Sequence, residues 1–294
     1  MTMREAATST IVDLFRRDER VAVVMADISL DQLRPAVEHD PRRAINVGIM
    51  EQSAIGVAAG FALEGFHPIV HTIAPFLTER PLEQIKLDFG YQGLGGLFVS
   101  VGASYDYGES GATHHAPGDV QVLGSIPGME VLLPGTPQEA GRLVECAYAN
   151  GHPTYLRTST VENDDPVELA PGGLTFVRRG TDVTVVVAGP LLSRTLAALH
   201  GIDATVLYAT TLVPLDRETL AREAAPAAEV VLVEPLYEGT TAAQVAEALA
   251  HRPTRLLSIG VPRQFIHGYG TPDEHDRALG LDITSIRERI LAFL

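Results

Sequence analysis

The sequence predicts an α/β protein made of two doubly wound units, each a mostly parallel sheet with helices on both faces. Two observations carry that prediction. Short apolar runs alternate with helical patterns from end to end, as strands buried on both faces require. One polar, Pro- and Gly-rich break, VENDDPVELAPGG at 161–173, divides the series in two. At 294 residues and 46% hydrophobic content the chain can bury a core for two domains of ordinary size.

The opening MTMREAATSTIVDLF carries acid and lacks a long apolar core, so it reads as a helix and not as a signal peptide. Strands are expected at 21–25, 69–72, 97–101, 131–133 and 154–157. Between the first two, VGIMEQSAIGVAAG at 47–60 places Glu51 at the mouth of a helix of small residues, where Gly56 and Gly60 let a backbone or flat ligand approach. Taken alone, such a Glu only offsets the positive end of the helix dipole. Thr136-Pro137-Gln138-Glu139 combines a capping hydroxyl, a proline at the first helical position and a Glu three residues after the cap, predicting a helix over 137–149. The second series has strands at 183–188, 205–208, 230–234 and 256–261, and Asp282 or Thr284 starts the last helix.

Lys and Arg number 22 and Asp and Glu 37, so the net charge is 22 − 37 = −15, which argues against nucleic acid or an anionic membrane as partner. No run approaches the roughly 18 apolar residues of a membrane span. The single cysteine, Cys146, lies in the amphipathic RLVECAYA and reads as a buried, inert thiol suited to a reducing, cytoplasmic compartment. His67, His71, His152 and His267 carry no pattern and read as surface or loop residues. No His, Asp or Glu spacing supports a metal site, and no nucleophile elbow is present.

Three further segments bear chemistry: HTIAPFLTERPLEQIKLD at 71–88, GESGATHHAPGDV at 108–120, and PGMEVLLPGTPQEA at 127–140. With the Glu51 helix, in this order, they resemble the transketolase family, which uses thiamine diphosphate; EHDRALGLD at 274–282 is similar to its C-terminal domain. The resemblance implies a pyrimidine-binding domain over 1–162, a linker over 163–173 and a smaller C-terminal domain over 174–294. It implies that Glu51 hydrogen-bonds a ring nitrogen of the cofactor's aminopyrimidine, favouring the form that can take a proton from the weakly acidic thiazolium carbon. By the same resemblance Phe76 lies against the pyrimidine face, with Ile73 and Glu79 where further aromatics are common. His114 takes the place of a histidine touching the reacting substrate oxygen, and His115 beside it bonds substrate or loop backbone.

Departures from the family pattern bear on the substrate. Ser110 falls where an Asp reads a substrate hydroxyl, and Gly102 and Thr160 fall where basic residues hold an acceptor phosphate. Arg4 and Ser29 match phosphate-pocket positions, and Arg157 or Arg80 could compensate from other directions. An acceptor that is less polar or unphosphorylated is therefore expected. The family's GDG start, which with a downstream Asn holds the diphosphate and Mg2+ or another divalent metal, is missing. The resemblance thus implies a split enzyme, with an N-terminal transketolase subunit carrying that site in an α2β2 heterotetramer. Two alternatives stand: the β subunit of a decarboxylating 2-oxo acid dehydrogenase, and a non-catalytic regulatory subunit of the same fold.

Overall fold

A strand covered on both faces has no polar side to show, and the continuous apolar runs accordingly form the sheet centres. In the computed structural model, which describes residues 1–170 and 172–294, the first sheet is built from β1 (Val21–Met25), β2 (Ala44–Asn46), β3 (His67–Ile73), β4 (Gly96–Val101), β5 (Glu130–Leu132) and β6 (Pro153–Arg157). The second region contributes β7 (Leu174–Arg178), β8 (Val183–Ala188), β9 (Ala204–Ala209), β10 (Thr211–Val213), β11 (Glu229–Tyr237) and β12 (Arg255–Val261). Every residue of β1, β4, β6, β8 and β9 is buried. The strand orders are β10-β5-β6-β4-β3-β1-β2 and β12-β11-β8-β9-β7, parallel except for β10 and β7.

Two mostly parallel sheets with helices are thus what the sequence predicts, with three strands added. β2, β7 and β10 go unpredicted because each is short, partly exposed or at an edge. β10 also leaves its own region and pairs antiparallel with β5, Thr211 opposite Leu132, so the second half of the chain completes the first sheet. A continuous apolar cluster joins Phe98 and Tyr155 to Leu207 and Leu232 across the two sheets. Pro171, within the expected linker, lies outside the described residues.

The helix after Thr136 runs Pro137–Ala147, capped by Thr136 Oγ1 accepting from Glu139 N at 3.3 Å. Glu139 does not close a capping box as its spacing suggests. Its Oε2 accepts from Gly135 N at 2.7 Å and from Tyr208 Oη at 2.7 Å, and its Oε1 accepts from Val167 N at 2.9 Å. One buried carboxylate therefore ties the helix to β9 and to the interdomain segment. Asp282 caps the last helix, Ile283–Phe293, through Thr284 and Ser285 N–H groups at 3.0 and 3.2 Å. Cys146 is exposed, contrary to expectation: it faces outward on the Pro137–Ala147 helix, beside a groove of about 480 Å³ near the N-terminal ends of β5 and β6.

Glu234, buried within β11, accepts from Thr241 Oγ1 at 2.7 Å and Thr241 N at 3.1 Å through Oε1, while Oε2 has no partner among the described residues. Burial pushes its carboxyl up from 4.5 to about 7. Between those values the unfolded chain releases a proton that the native state keeps, so Glu234's contribution to native stability declines as pH rises and levels off above about 7. Asp106, raised by burial from 3.8 to about 6, adds to the decline at lower pH. Because His71, lowered by burial to about 4, contributes in the opposite sense up to about 6.5, the test is a difference. In thermal melts Glu234→Gln is expected to gain melting temperature relative to wild type from pH 5 to pH 8, and a constant difference contradicts the assignment.

Candidate active site

Ligands of open α/β sheets bind beyond the carboxyl ends of parallel strands, and the candidate residues lie there. Ser29 follows β1, Glu51 follows β2, Phe76 follows β3, and Tyr107 and His114 follow β4. Glu51 opens the helix Glu51–Leu63 and is 3% exposed, so its carboxylate sits in the positive end field of the helix with little water. Arg80 Nη1 donates to Glu51 Oε1 at 2.9 Å, and the same guanidinium lies over Phe76, its central carbon 3.8 Å from the ring centroid. A planar, hydrogen-bonding cation therefore spans a carboxylate and an aromatic face, an arrangement that a protonatable flat heterocycle can also satisfy. Arg80 is 41% exposed and has room to leave.

Phe76 in turn meets His114 edge to face, ring centroids 5.0 Å apart. Thr113 Oγ1 lies 2.9 Å from His114 Nδ1, which leaves Nε2 as the nitrogen without an internal partner. The loop bearing His114 is pinned at its base by an antiparallel bridge between Ser104 and Ala116, and turns at Gly111, φ +74°. Glu51, Phe76 and His114 thus form one connected row, through Arg80.

His115 departs from that row. It is buried, neither ring nitrogen has a partner, and it faces His275 with centroids 5.8 Å apart. It lines a separate cavity of about 240 Å³ with Glu79, Tyr237 and Phe265. Burial, together with the neighbouring His275 and His114, lowers its pKa, so a neutral ring is favoured there.

The other expected contacts divide in the same way. Arg4 Nε donates to Ser29 Oγ at 2.9 Å, and Ser29 Oγ lies 2.7 Å from His71 Nε2, whose Nδ1 is 2.9 Å from Val99 O. His71 is thus fully buried in β3, not a surface residue, and burial lowers its pKa to about 4. Arg157 is not available to substrate: it is 2% exposed, with Nε donating to Asp119 Oδ2 at 2.7 Å and Nη2 to Pro235 O at 3.2 Å. Thr160 donates its backbone N–H to Asp106 Oδ2 at 2.8 Å, and its side chain is exposed. Ser110 and Glu79 are exposed on the rim, and Ile73 is a half-buried residue before the helix Ala74–Thr78.

Gly102 has φ +73°, and a Cβ there would lie 2.1 Å from Tyr107 Cε2. Left-handed backbone costs a non-glycine residue about 1–2 kcal/mol before any clash. Gly102→Ala is therefore expected to lower the melting temperature by several degrees and to alter the near-UV circular dichroism of Tyr107. Retention of both would show that the ring has another place to go. Arg80 and Tyr107 are the residues that sequence reasoning leaves without a defined role: Arg80 signals itself only through its short separation from Phe76, and Tyr107 gives no signal.

Residues 1–163 match the transketolase pyrimidine-binding domain and residues 172–286 the transketolase C-terminal domain. The chain belongs to the transketolase family. It is 44% identical to an uncharacterized 33.6 kDa protein in the fasciation locus of Rhodococcoides fascians, over 99% of this chain and 95% of that one. It is 30% identical to an apulose-4-phosphate transketolase subunit from Phocaeicola vulgatus, over 99% and 97%. Among solved structures, a split gene transketolase described as an inactive beta4 tetramer superimposes with a TM-score of 0.86 at 26% identity, covering 100% of this chain and 98% of the other.

Proposed function

We propose that the chain is the pyrimidine-side subunit of a two-chain, thiamine diphosphate-dependent transketolase that moves a two-carbon ketol unit from a ketose to an aldehyde acceptor. The observation that carries this is the buried Glu51 carboxylate joined to the Phe76 face by one flat cation. A relative named as a transketolase subunit, and a structural neighbour from a split gene, support the two-chain reading. An N-terminal partner would hold the diphosphate and its divalent metal, and an α2β2 heterotetramer in the cytoplasm is the assembly expected. Among the described residues, no helix is long and apolar enough to cross a membrane.

The bound cofactor supplies a carbon that can carry the ketol unit between two carbonyl compounds. The chain's residues do the rest. Glu51, once Arg80 swings out, would take up a proton in place of that cation and share it at Oε1 with a ring nitrogen, and the helix mouth and burial would hold the carboxyl in place. Phe76 packs the heterocycle's face, a contact of about 0.5–1.5 kcal/mol beyond burial. His114 Nε2 donates to the substrate oxygen as negative charge develops on it, and edge contacts with Phe76 and Tyr107 orient its ring.

Mixing this chain with a GDG-bearing partner, thiamine diphosphate and Mg2+ over a panel of ketoses, aldehydes and 2-oxo acids tests the assignment. Ketol transfer that requires both chains is the expected result. Carbon dioxide release from a 2-oxo acid would support the dehydrogenase alternative, and silence across the panel would support the regulatory one.

A further inference from the structure

Tyr107 stands at the junction of three groups that would line an acceptor path, and none of the expected site residues includes it. Its ring fills the space a side chain at Gly102 would need, with Cε2 2.1 Å and Cδ2 2.4 Å from the ideal Cβ position. The ring stands edge-on to His114 at 6.3 Å between centroids. Its phenol lies by Arg4, whose charge counters the burial that raises the tyrosine's pKa. Arg4 reaches Ser29 through Nε, and among the described residues no carboxylate forms an ion pair with it. The tyrosine thus meets His114 with its ring and Arg4 with its phenol.

We propose that Tyr107 is a specificity-determining residue whose ring shortens the acceptor path between His114 and Arg4, selecting small or unphosphorylated aldehydes over aldose phosphates. This rests on the function proposed above for its kinetic consequence, while the shielding of Arg4 does not. The ring takes space that an anionic tail would need to reach the guanidinium and Ser29. Removing it opens a subsite with one cation and one hydroxyl, chemistry that suits a phosphate oxygen.

The first test needs no partner chain. Thermal melts in inorganic phosphate, against chloride at matched ionic strength, are expected to show little phosphate-specific upshift in the wild type and in Tyr107→Phe. A clear upshift is expected in Tyr107→Ala, lost again in Tyr107→Ala/Arg4→Gln, because a ligand that binds only the native state raises its melting point. Tyr107→Leu replaces the alanine variant if that fails to fold. Equal phosphate response in wild type and truncated variants, or a response that survives loss of Arg4, overturns the proposal. In the reconstituted enzyme, Tyr107→Ala is expected to raise kcat/KM for D-erythrose 4-phosphate relative to glycolaldehyde by roughly tenfold, mainly through KM, which corresponds to about 1.4 kcal/mol. Equal change with both acceptors marks a merely structural ring. Absence of ketol transfer in the wild type counts against the proposed function, and the phosphate melts still decide the role of Tyr107.

Discussion

Glu51→Gln is expected to reduce ketol transfer by the reconstituted enzyme by at least about a thousandfold, the scale on which loss of a positioned acid or base falls. That factor corresponds to roughly 4 kcal/mol of lost transition-state stabilisation. The amide keeps the shape of the side chain and can still accept from Arg80 Nη1, now 2.9 Å from Glu51 Oε1, so the fold has little reason to change. It cannot give up a proton at that atom. The half-exposed Arg80 limits what the ion pair adds to stability, since solvent screens it. Melting within a few degrees of wild type, normal assembly with the partner and near-complete loss of turnover form the expected pattern. Turnover within tenfold of wild type in an assembled variant contradicts the role given to this carboxylate.

The largest effect on stability is expected from Asp119→Ala. Asp119 Oδ2 accepts from Arg157 Nε at 2.7 Å and from Tyr155 Oη at 2.8 Å, and the side chains of the ion pair are 1% and 0% exposed. Removing the acid strips the guanidinium of its hydrogen-bonded counter-charge in a site that water does not reach, leaving only the more distant Asp106. Breaking a buried pair from one side costs about 3–5 kcal/mol. For a chain of this size that is a melting shift on the order of 10 °C. Because Arg157 also bonds Pro235 O in β11, the variant should loosen the junction between the two sheets first. Tyr155 keeps Ser100 Oγ at 2.8 Å and loses only part of its network. Asp119→Leu combined with Arg157→Met removes both charges and is expected to recover most of the loss. A fall of under about 2 °C in Asp119→Ala would mean that the arginine finds another partner.

Much of this architecture is legible in the chain because strands buried on both faces leave a continuous apolar trace. VAVVM and VTVVVA declare β1 and β8 at their observed bounds. β10 leaves no comparable trace: its three residues pair with a strand far back along the chain, and only the folded protein brings Thr211 to Leu132. The same distinction separates the site residues. Glu51, Phe76 and His114 could be picked out by their segments, but the connection among them runs through Arg80, whose guanidinium no pattern could place. His71 and Arg157 were legible as polar residues and illegible as buried ones, because each is satisfied by partners remote in sequence: His71 by Ser29 and Val99, Arg157 by Asp119 and Pro235. Cys146 shows the converse, an amphipathic helix whose register turns the thiol outward.

The most direct measurement is a structure of the chain assembled with its partner, thiamine diphosphate and Mg2+. The expected result places a Glu51 carboxylate oxygen within hydrogen-bond distance of a pyrimidine nitrogen, the ring against Phe76, and Arg80 displaced from both. A heterocycle bound elsewhere, with Arg80 still clamped between Glu51 and Phe76, would contradict the account.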